Sequence, residues 1–446
     1  MALDKSEVAD TPTSSDNEAL PTVREKLPVK WYRSTLYNSI ILGICNFLAP
    51  GIWGAMNSLG AGGEESPHLV NAANALTFCL MVISCFFSSV LVKYIGIKPA
   101  LIFGTMGYAP YAAGLYCNNR YGTEWFVLLG PPFAVSPQGR FLGLWLSFRV
   151  AGQVLGGVIN LALNADNSGR GKVSYNVYLV FIALQAIGPF AALLLTPPDK
   201  VQRTDGVIPN LQISESSWKE IKLTSKLFVS KYFLLLIPLI AQGVYSEAVM
   251  FTYESVWLSV RGRALGSFLS GIVAMISGNL LGAFLDREKW PLKRRARWAF
   301  IGILGLQGVW WVWGTVLVTN YWGQNPLPVY DWLDGGAFVR TFLLFLGWVS
   351  GFQINYLYLY FLVGNLARTP EEVIRISALL RGTESAVQAV SYGLNSITVM
   401  GAIGGVYLNF GLWAIALVPG WLVVKEIGVS LGDNKIARER EVMERS

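Results

Sequence analysis

The chain has 446 residues, of which 53% are hydrophobic and 14% charged, and its formal net charge is +7. A soluble domain carries about 25% charged residues, so this composition excludes a water-soluble enzyme, a fibrous protein and a disordered chain. The apolar runs are continuous rather than alternating, which excludes an outer-membrane barrel and leaves an all-α polytopic membrane protein.

The first 30 residues are polar, rich in Ser, Thr, Asp and Glu, and lack the apolar core of a signal peptide. Residues 1–33 read as a disordered cytosolic tail, with the first hydrophobic helix acting as the insertion signal. A helix needs about 20 apolar residues to cross a bilayer. Runs of that kind predict spans at 35–57, 71–92, 100–117, 141–163 and 177–196, then at 232–253, 264–285, 299–319, 338–363, 380–399 and 406–424. Between Glu124 and Arg140 the apolar run covers only 126–135 and contains Pro131 and Pro132. At about 1.5 Å per residue it reaches about 15 Å, half of a hydrocarbon core of about 30 Å. The two prolines also remove backbone donors that lipid cannot replace. A shortened or re-entrant fourth span is expected there.

The polar stretch 197–231 divides the spans six and six. It separates an N-terminal transmembrane half at 34–196 from a C-terminal half at 232–424, and a charged cytosolic tail follows at 425–446. Within this cytosolic linker, 217–228 reads as an amphipathic helix. Trp218, Ile221, Leu223 and Leu227 mix with Lys219, Lys222 and Lys226, a pattern suited to an anionic leaflet or to a partner protein.

Cations mark the inner side of a membrane protein. Arg24, Lys26, Lys30 and Arg33 precede the first span, Lys93 and Lys98 follow the second, and Lys200, Arg203, Lys219, Lys222 and Lys226 lie in the linker. The turn after 264–285 holds Arg287, Lys289, Lys293, Arg294, Arg295 and Arg297, and Arg368 and Arg375 follow the tenth span. The segments 58–67 and 321–336 hold acids and no cation. If a fourth crossing is counted, every basic segment and both termini fall in the cytosol.

Cys45, Cys79, Cys85 and Cys117 lie within apolar runs with no disulfide pattern and no CxxC spacing, and His68 has no neighbouring ligand set. There is no P-loop, Ser-His-Asp set or paired-carboxylate site. No metal, no cofactor, no enzymatic activity and no nucleic-acid partner are expected.

Two loop patterns point to a family. Gly282-x-x-x-Asp286-Arg287 precedes the basic cluster and resembles the cytoplasmic loop signature of the major facilitator superfamily. The corresponding loop of the first half keeps Gly96 and Lys98, with Lys93 in place of the acid. The first span ends Asn57-Ser58-Leu59-Gly60-Ala61-Gly62-Gly63, and the third carries Gly107-Tyr108-x-x-Tyr111-x-x-Gly114. Together these resemble the Unc-ninety-three-like family of that superfamily, in its fungal-type form, from about residue 37 to 424. The resemblance implies a major-facilitator-type 6+6 helix bundle. Typical members have a full fourth span with an FWATE-like motif. Here the chain passes from Leu129-Gly130 to Pro131-Pro132 and resumes at Gly139-Arg140-Phe141, which fits an altered splice or an erroneous gene model. The resemblance does not imply one activity, since some relatives look like potassium-channel regulatory subunits and others like trafficking chaperones.

Arg149 lies midway along the fifth span. A charge there costs about 2.5–3.5 kcal/mol, so it should face the bundle interior, either as a solute or ion contact or as a structural ion pair. Glu247 is a second charge within a span and can carry a proton, although its place near the outer end suggests a water-exposed side chain. Glu254 is expected in the outer loop. Arg381 and Glu384 are three apart and should pair. Asn46, Asn57, Asn71, Asn74, Asn160, Gln353, Asn355 and Gln388 are polar positions within spans. They either bond between helices for about 0.6 kcal/mol each or line a cavity. Of these, Asn46, Asn160, Gln353, Asn355 and Gln388 join Arg149 and Glu247 as cavity candidates. Gly152-x-x-x-Gly156-Gly157 reads as a close-packing face, and Trp310, Trp311 and Trp313 as packing or lipid-facing aromatics. The expected function is alternating-access transport of a small solute or ion. The alternatives are a non-transporting regulator or chaperone of another membrane protein, and a transport-defective splice form. The expected partners are the lipid bilayer, an unknown small solute or ion and, on the regulator reading, a membrane protein.

Overall fold

The computed structural model describes residues 29–64, 67–124, 127, 142–169, 171–197, 200–202, 217–368 and 370–432. The expected fourth span, residues 1–28 of the N-terminal tail, most of the linker before 217 and the C-terminal tail beyond 432 lie outside these residues. Among the described residues the chain is helical, with isolated β-bridges and no named strand.

Helix α1 (Thr35–Asn57) starts at Ser34, whose Oγ accepts from the Tyr37 amide at 3.1 Å, a cap that satisfies an otherwise unpaired helical N–H. Pro50 removes a donor inside it, and the backbone relaxes to a wider turn over Phe47–Gly51. The chain then turns through Gly60, Gly62 and Gly63, all at positive φ (77°, 73° and 83°). Side chains rarely tolerate this conformation. Helix α2 (Pro67–Ile95) follows, then α3 (Ile97–Met106) and α4 (Tyr108–Tyr121), which are separated at Gly107. Next come α5 (Leu142–Asn164), α6 (Tyr175–Leu193) and α7 (Ser217–Phe228). The remaining helices are α8 (Lys231–Trp257), α9 (Val260–Leu285), α10 (Leu292–Trp322), α11 (Gly336–Leu366), α12 (Pro370–Asn395) and α13 (Met400–Val424).

Eight of the described helices are long and apolar enough to cross a membrane: α1, the Pro67–Cys85 part of α2, α6, α8, α9, α10, α11 and α13. The protein is an integral, multi-pass helical membrane protein. Helix α12 does not reach that hydropathy, because it carries Arg375, Arg381, Glu384 and Gln388.

Several helices run past their sequence-predicted ends. Lys293, Arg294, Arg295 and Arg297 were expected in a loop but lie in the first turns of α10. They stay hydrated or bonded while their stems follow the helix. The Arg294 guanidinium lies 4.3 Å from the Trp290 ring centroid, and Arg297 Nη2 donates to the Lys425 carbonyl at 2.7 Å. Likewise α12 begins ten residues before the predicted 380, and Arg375 there makes a two-pronged pair with Glu220 of α7, both contacts at 2.8 Å.

The halves meet chiefly where α2 packs on α12 and α5 packs on α9. Gly157 makes the α5–α9 approach possible, since a Cβ there would lie 2.5 Å from Phe268 Cα. Within the first half, a Cβ at Gly152 would lie 2.5 Å from the Phe47 carbonyl oxygen of α1. In the second half, Trp311 stacks on Trp348 at 5.0 Å within the core, and Trp310 and Trp313 pack together at 5.6 Å.

Candidate functional site: the cavity between the halves

The end of the bundle where α1 begins is here called the proximal face, and the end where α8 meets α9 the distal face. Between them, α5 projects Arg149 and Gln153 into an enclosed cavity of about 30 Å³. Opposite stand Glu247 of α8 and Gln353 of α11, with Phe352 and Met250 as apolar walls. The space is about that of one water molecule. Arg149 thus comes from one half and Glu247 from the other.

Glu247 is 2% exposed, and its Oε2 accepts from Gln388 Nε2 of α12. The expectation of a water-exposed Glu247 is therefore corrected. The helix continues a further ten residues beyond it, and α12 covers it. Arg149 and Arg381 both act electrostatically on Glu247. Arg381 Nη1 contacts Glu384 Oε2 at 3.1 Å, and its Nη2 lies 3.4 Å from Met81 Sδ of the first half. The Tyr356 and Tyr360 hydroxyls, 3.2 Å apart, border the same pair. Two arginines and two glutamates therefore form one group with balanced charge, its carboxyls buried and its guanidiniums partly buried. Each charge needs the others, because a buried ion left unpaired is strongly destabilising.

The other candidates separate by location. Gln353 lines the cavity, and Gln388 reaches it through Glu247. Asn160 sits distal to it, donating to Ser267 Oγ at 2.7 Å and to the Ala55 carbonyl at 3.0 Å. Asn355 accepts from Gln242 Nε2 at 3.1 Å, and Gln242 also reaches Gln307 at 3.2 Å, all within the second half. Asn46 is buried in α1 one turn before Pro50 and is not part of the cavity wall.

The family-motif residues build the first half rather than the cavity. Tyr111 Oη donates to Asn74 Oδ1 at 2.9 Å, Asn74 Nδ2 donates to Asn57 Oδ1 at 2.9 Å, and Asn57 Nδ2 donates to the Trp53 carbonyl at 3.0 Å. Tyr178 Oη donates to the Gly62 carbonyl at 2.7 Å, and the Val173 amide donates to that of Gly63 at 3.0 Å. Tyr108 is buried within the fields of Arg149 and Arg381. In the loop signature, Gly96 (φ 81°) makes the turn into α3, where Lys98 is half-buried. Asp286 caps α9, and Arg287 follows it, exposed. Gly282 lies within α9 with open space around it.

Hydrogen bonds joining the halves gather toward the distal face. Ser58 Oγ donates to Ser267 Oγ at 2.9 Å, and Asn71 Nδ2 donates to Thr252 Oγ1 and to the Asn395 carbonyl, each at 3.0 Å. The first amides of α9, at Val260 and Arg261, donate to the Gly169 and Asn167 carbonyls at 3.0 Å. These amides have no partner within their own helix. Arg263 donates to the Glu64 carbonyl at 3.2 Å and to the Gly171 carbonyl. His68 Nδ1 lies 2.6 Å from the Ser396 carbonyl oxygen.

Glu254 was expected in a loop but lies inside α8, fully buried. The helix runs on to Trp257 because its first breaking signal is the cap at Ser259, which accepts from the Gly262 amide. Arg263, 2% exposed, was missed as a site residue. Its signal was present: Arg261 and Arg263 are cations next to otherwise acidic distal segments, against the charge rule that organises the rest of the chain.

No model of a known protein family matches the chain. It is 38% identical over 436 residues to the "Notoamide biosynthesis cluster protein O'" of Aspergillus versicolor, with 93% of each chain covered. It is 24% identical to an UNC93-like protein of Schizosaccharomyces pombe, covering 88% of this chain and 82% of that one. Among solved structures it resembles a POT family transporter in complex with 5-aminolevulinic acid. The TM-score is 0.56 at 13% identity, over 87% of this chain and 96% of that one.

Proposed function

Since the chain belongs to the UNC93-like family and has the major-facilitator-type fold, we propose that it carries a small polar solute or ion across the bilayer by alternating access. The observation that supports this reading is the meeting of Arg149 and Glu247, from opposite halves, at one enclosed central cavity. A guanidinium offers a rigid fork to an anionic group, and a carboxylate accepts from an ammonium or hydroxyl. A solute bearing both kinds of group would exchange partners with the two side chains without leaving either charge bare. The POT family transporter that the chain resembles is in complex with 5-aminolevulinic acid, which carries both an amino and a carboxyl group. The A. versicolor relative is named for a biosynthesis cluster, so a polar product of such a cluster is a second candidate.

The cavity holds about one water, so loading requires the halves to part. The hydrogen bonds at the distal face favour opening toward the proximal face. On the charge rule, we take the proximal face and both termini as cytosolic, and the linker with α7 as lying at the inner leaflet.

The test is uptake by the full chain reconstituted in vesicles, screened against radiolabelled amino acids and polar natural products. Arg149→Ala should lower uptake at least about tenfold, the factor that about 1.4 kcal/mol of lost interaction produces. Uptake unchanged by the substitution removes this cavity from the mechanism.

A further inference from the structure

Near the distal end of α8 a carboxyl group stands apart from the central cavity. Glu254 is fully buried, and neither of its oxygens accepts a hydrogen bond from a described residue. Its space exists because position 266 of α9 has no side chain. A Cβ there would overlap Glu254 Oε1 and press on the Phe345 ring of α11 at 3.3 Å.

Among the described residues, the charge that acts on Glu254 is Arg263, one turn before Gly266 on α9. The Arg263 guanidinium bonds to the other half, through the Glu64 and Gly171 carbonyls. Its stem is held against the first-half turn, where a Cβ at Gly60 would lie 2.9 Å from Arg263 Cδ. Behind Arg263, among the described residues of the first half, stand Glu64 and Tyr178, 3.3 Å apart. Outside them opens a distal cleft of about 620 Å³, bordered by Glu64, His68, Glu124 and Lys172.

One guanidinium thus has two competing sets of acceptors. The first-half carbonyls tie the halves together, and the Glu254 carboxyl belongs to its own half. A hydrogen bond to an ionised acceptor is about twice as strong as one to a neutral acceptor, so an ionised Glu254 outbids a carbonyl. With a proton on the carboxyl that advantage disappears. A neutral buried carboxyl is also far less costly than a buried carboxylate without donors. The observed arrangement, with Arg263 on the carbonyls and Glu254 without donors, is the one that a protonated Glu254 supports.

We propose that Glu254 is a proton-binding site that operates the distal gate. When protonated, it leaves Arg263 bonded to the Glu64 and Gly171 carbonyls and the distal face shut. When its proton passes to water in the distal cleft, the carboxylate draws Arg263 away from those carbonyls and the halves part at that face. This goes beyond the carrier reading and shares with it only the parting of the halves.

The test reads the gate itself and needs no solute. In the full chain, with the native cysteines replaced by serine, spin labels are attached at Tyr121→Cys and Leu333→Cys, exposed distal positions on the first and second half. Their separation is measured by double electron–electron resonance in lipid nanodiscs from about pH 5 to about pH 9. In the parent, a longer-distance population should grow as pH rises. Glu254→Gln should keep the short distance throughout and lose one protonated-carboxyl band in the infrared spectrum. Arg263→Gln, which removes the latch and keeps the carboxyl, should hold the long distance even in acid. The proposal is overturned by a parent distance that does not move with pH, by a pH response that survives Glu254→Gln, or by an Arg263→Gln protein that still closes in acid. Uptake failing in vesicles while the distance still titrates would count against the carrier reading and not against this one.

Discussion

At the residue scale, Asp331 is a clear case of a charge set by its neighbours. It lies in the distal turn before α11 and accepts from Arg261 Nε and Ser259 Oγ, both at 2.7 Å, and from Arg261 Nη2. The Arg261 hydrogen bonds, ahead of those from Ser259 and the Leu333 amide, hold its carboxyl well below the usual carboxylate range. A lowered folded pKa adds stability that is fully present above the unfolded Asp value of about 3.9 and fades as pH falls from there toward the folded value. Protection factors at the amides of 331–334, which correct for the intrinsic pH dependence of exchange, should therefore fall in acid. Asp331→Asn should lower those protection factors already at neutral pH and leave them insensitive to acid. The same scale shows what single residues reveal in a sequence. Arg149 was legible because a lone cation in an apolar run has few places to go. Arg263 was legible only as a cation beside acidic distal segments, and Glu254 was not, because their burial depends on a short α8–α9 turn and on carbonyls from loops some 90 and 200 positions away.

At the scale of elements, the contact between α5 and α9 rests on what Gly157 lacks. Its missing Cβ lets the Phe268 backbone come within touching distance. Overpacking of such a contact costs about 1–3 kcal/mol for a small excess and more for a large one. Gly157→Ala should lower the melting temperature of the detergent-purified protein, and Gly157→Leu should abolish monodisperse yield. An α5–α9 contact indifferent to Leu at this position would mean that the helices do not pack as described. Element identity was largely readable. α1 spans the predicted 35–57, and α7 the predicted 217–228, because polarity changes sharply at both ends of each. The ends of α8, α10 and α12 were less readable. Charged residues were counted as loop, whereas long cationic side chains can stay on a helix and reach outward.

At the scale of the whole molecule, sidedness is the arrangement most open to test. A maleimide that cannot cross lipid should reach Leu333→Cys and Trp218→Cys from opposite sides of a sealed membrane. Both positions are well exposed, at 77% and 74%. Labelling of both from the same side would break the proposed topology. The two-part plan itself was visible in the chain, since one polar stretch splits the apolar runs. The convergence of Arg149, Glu247 and Gln353 was visible only in part, because α5, α8 and α11 meet through packing that no local pattern encodes.

Helix α12 has a consequence for how the protein is made. With Arg381, Glu384 and Gln388 on one helix, it is a poor stop-transfer segment, since each such charge at mid-membrane is disfavoured on insertion scales by about 2.5–3.5 kcal/mol. It sits stably only once α2 and α8 are there to receive those groups. Biogenesis should therefore be ordered, with the nascent α12 held at the translocon until the earlier helices have assembled. A nascent chain stalled once α12 has just left the ribosome should cross-link through α12 to the translocon, whereas in completed chains α12 should cross-link to α2 and α8.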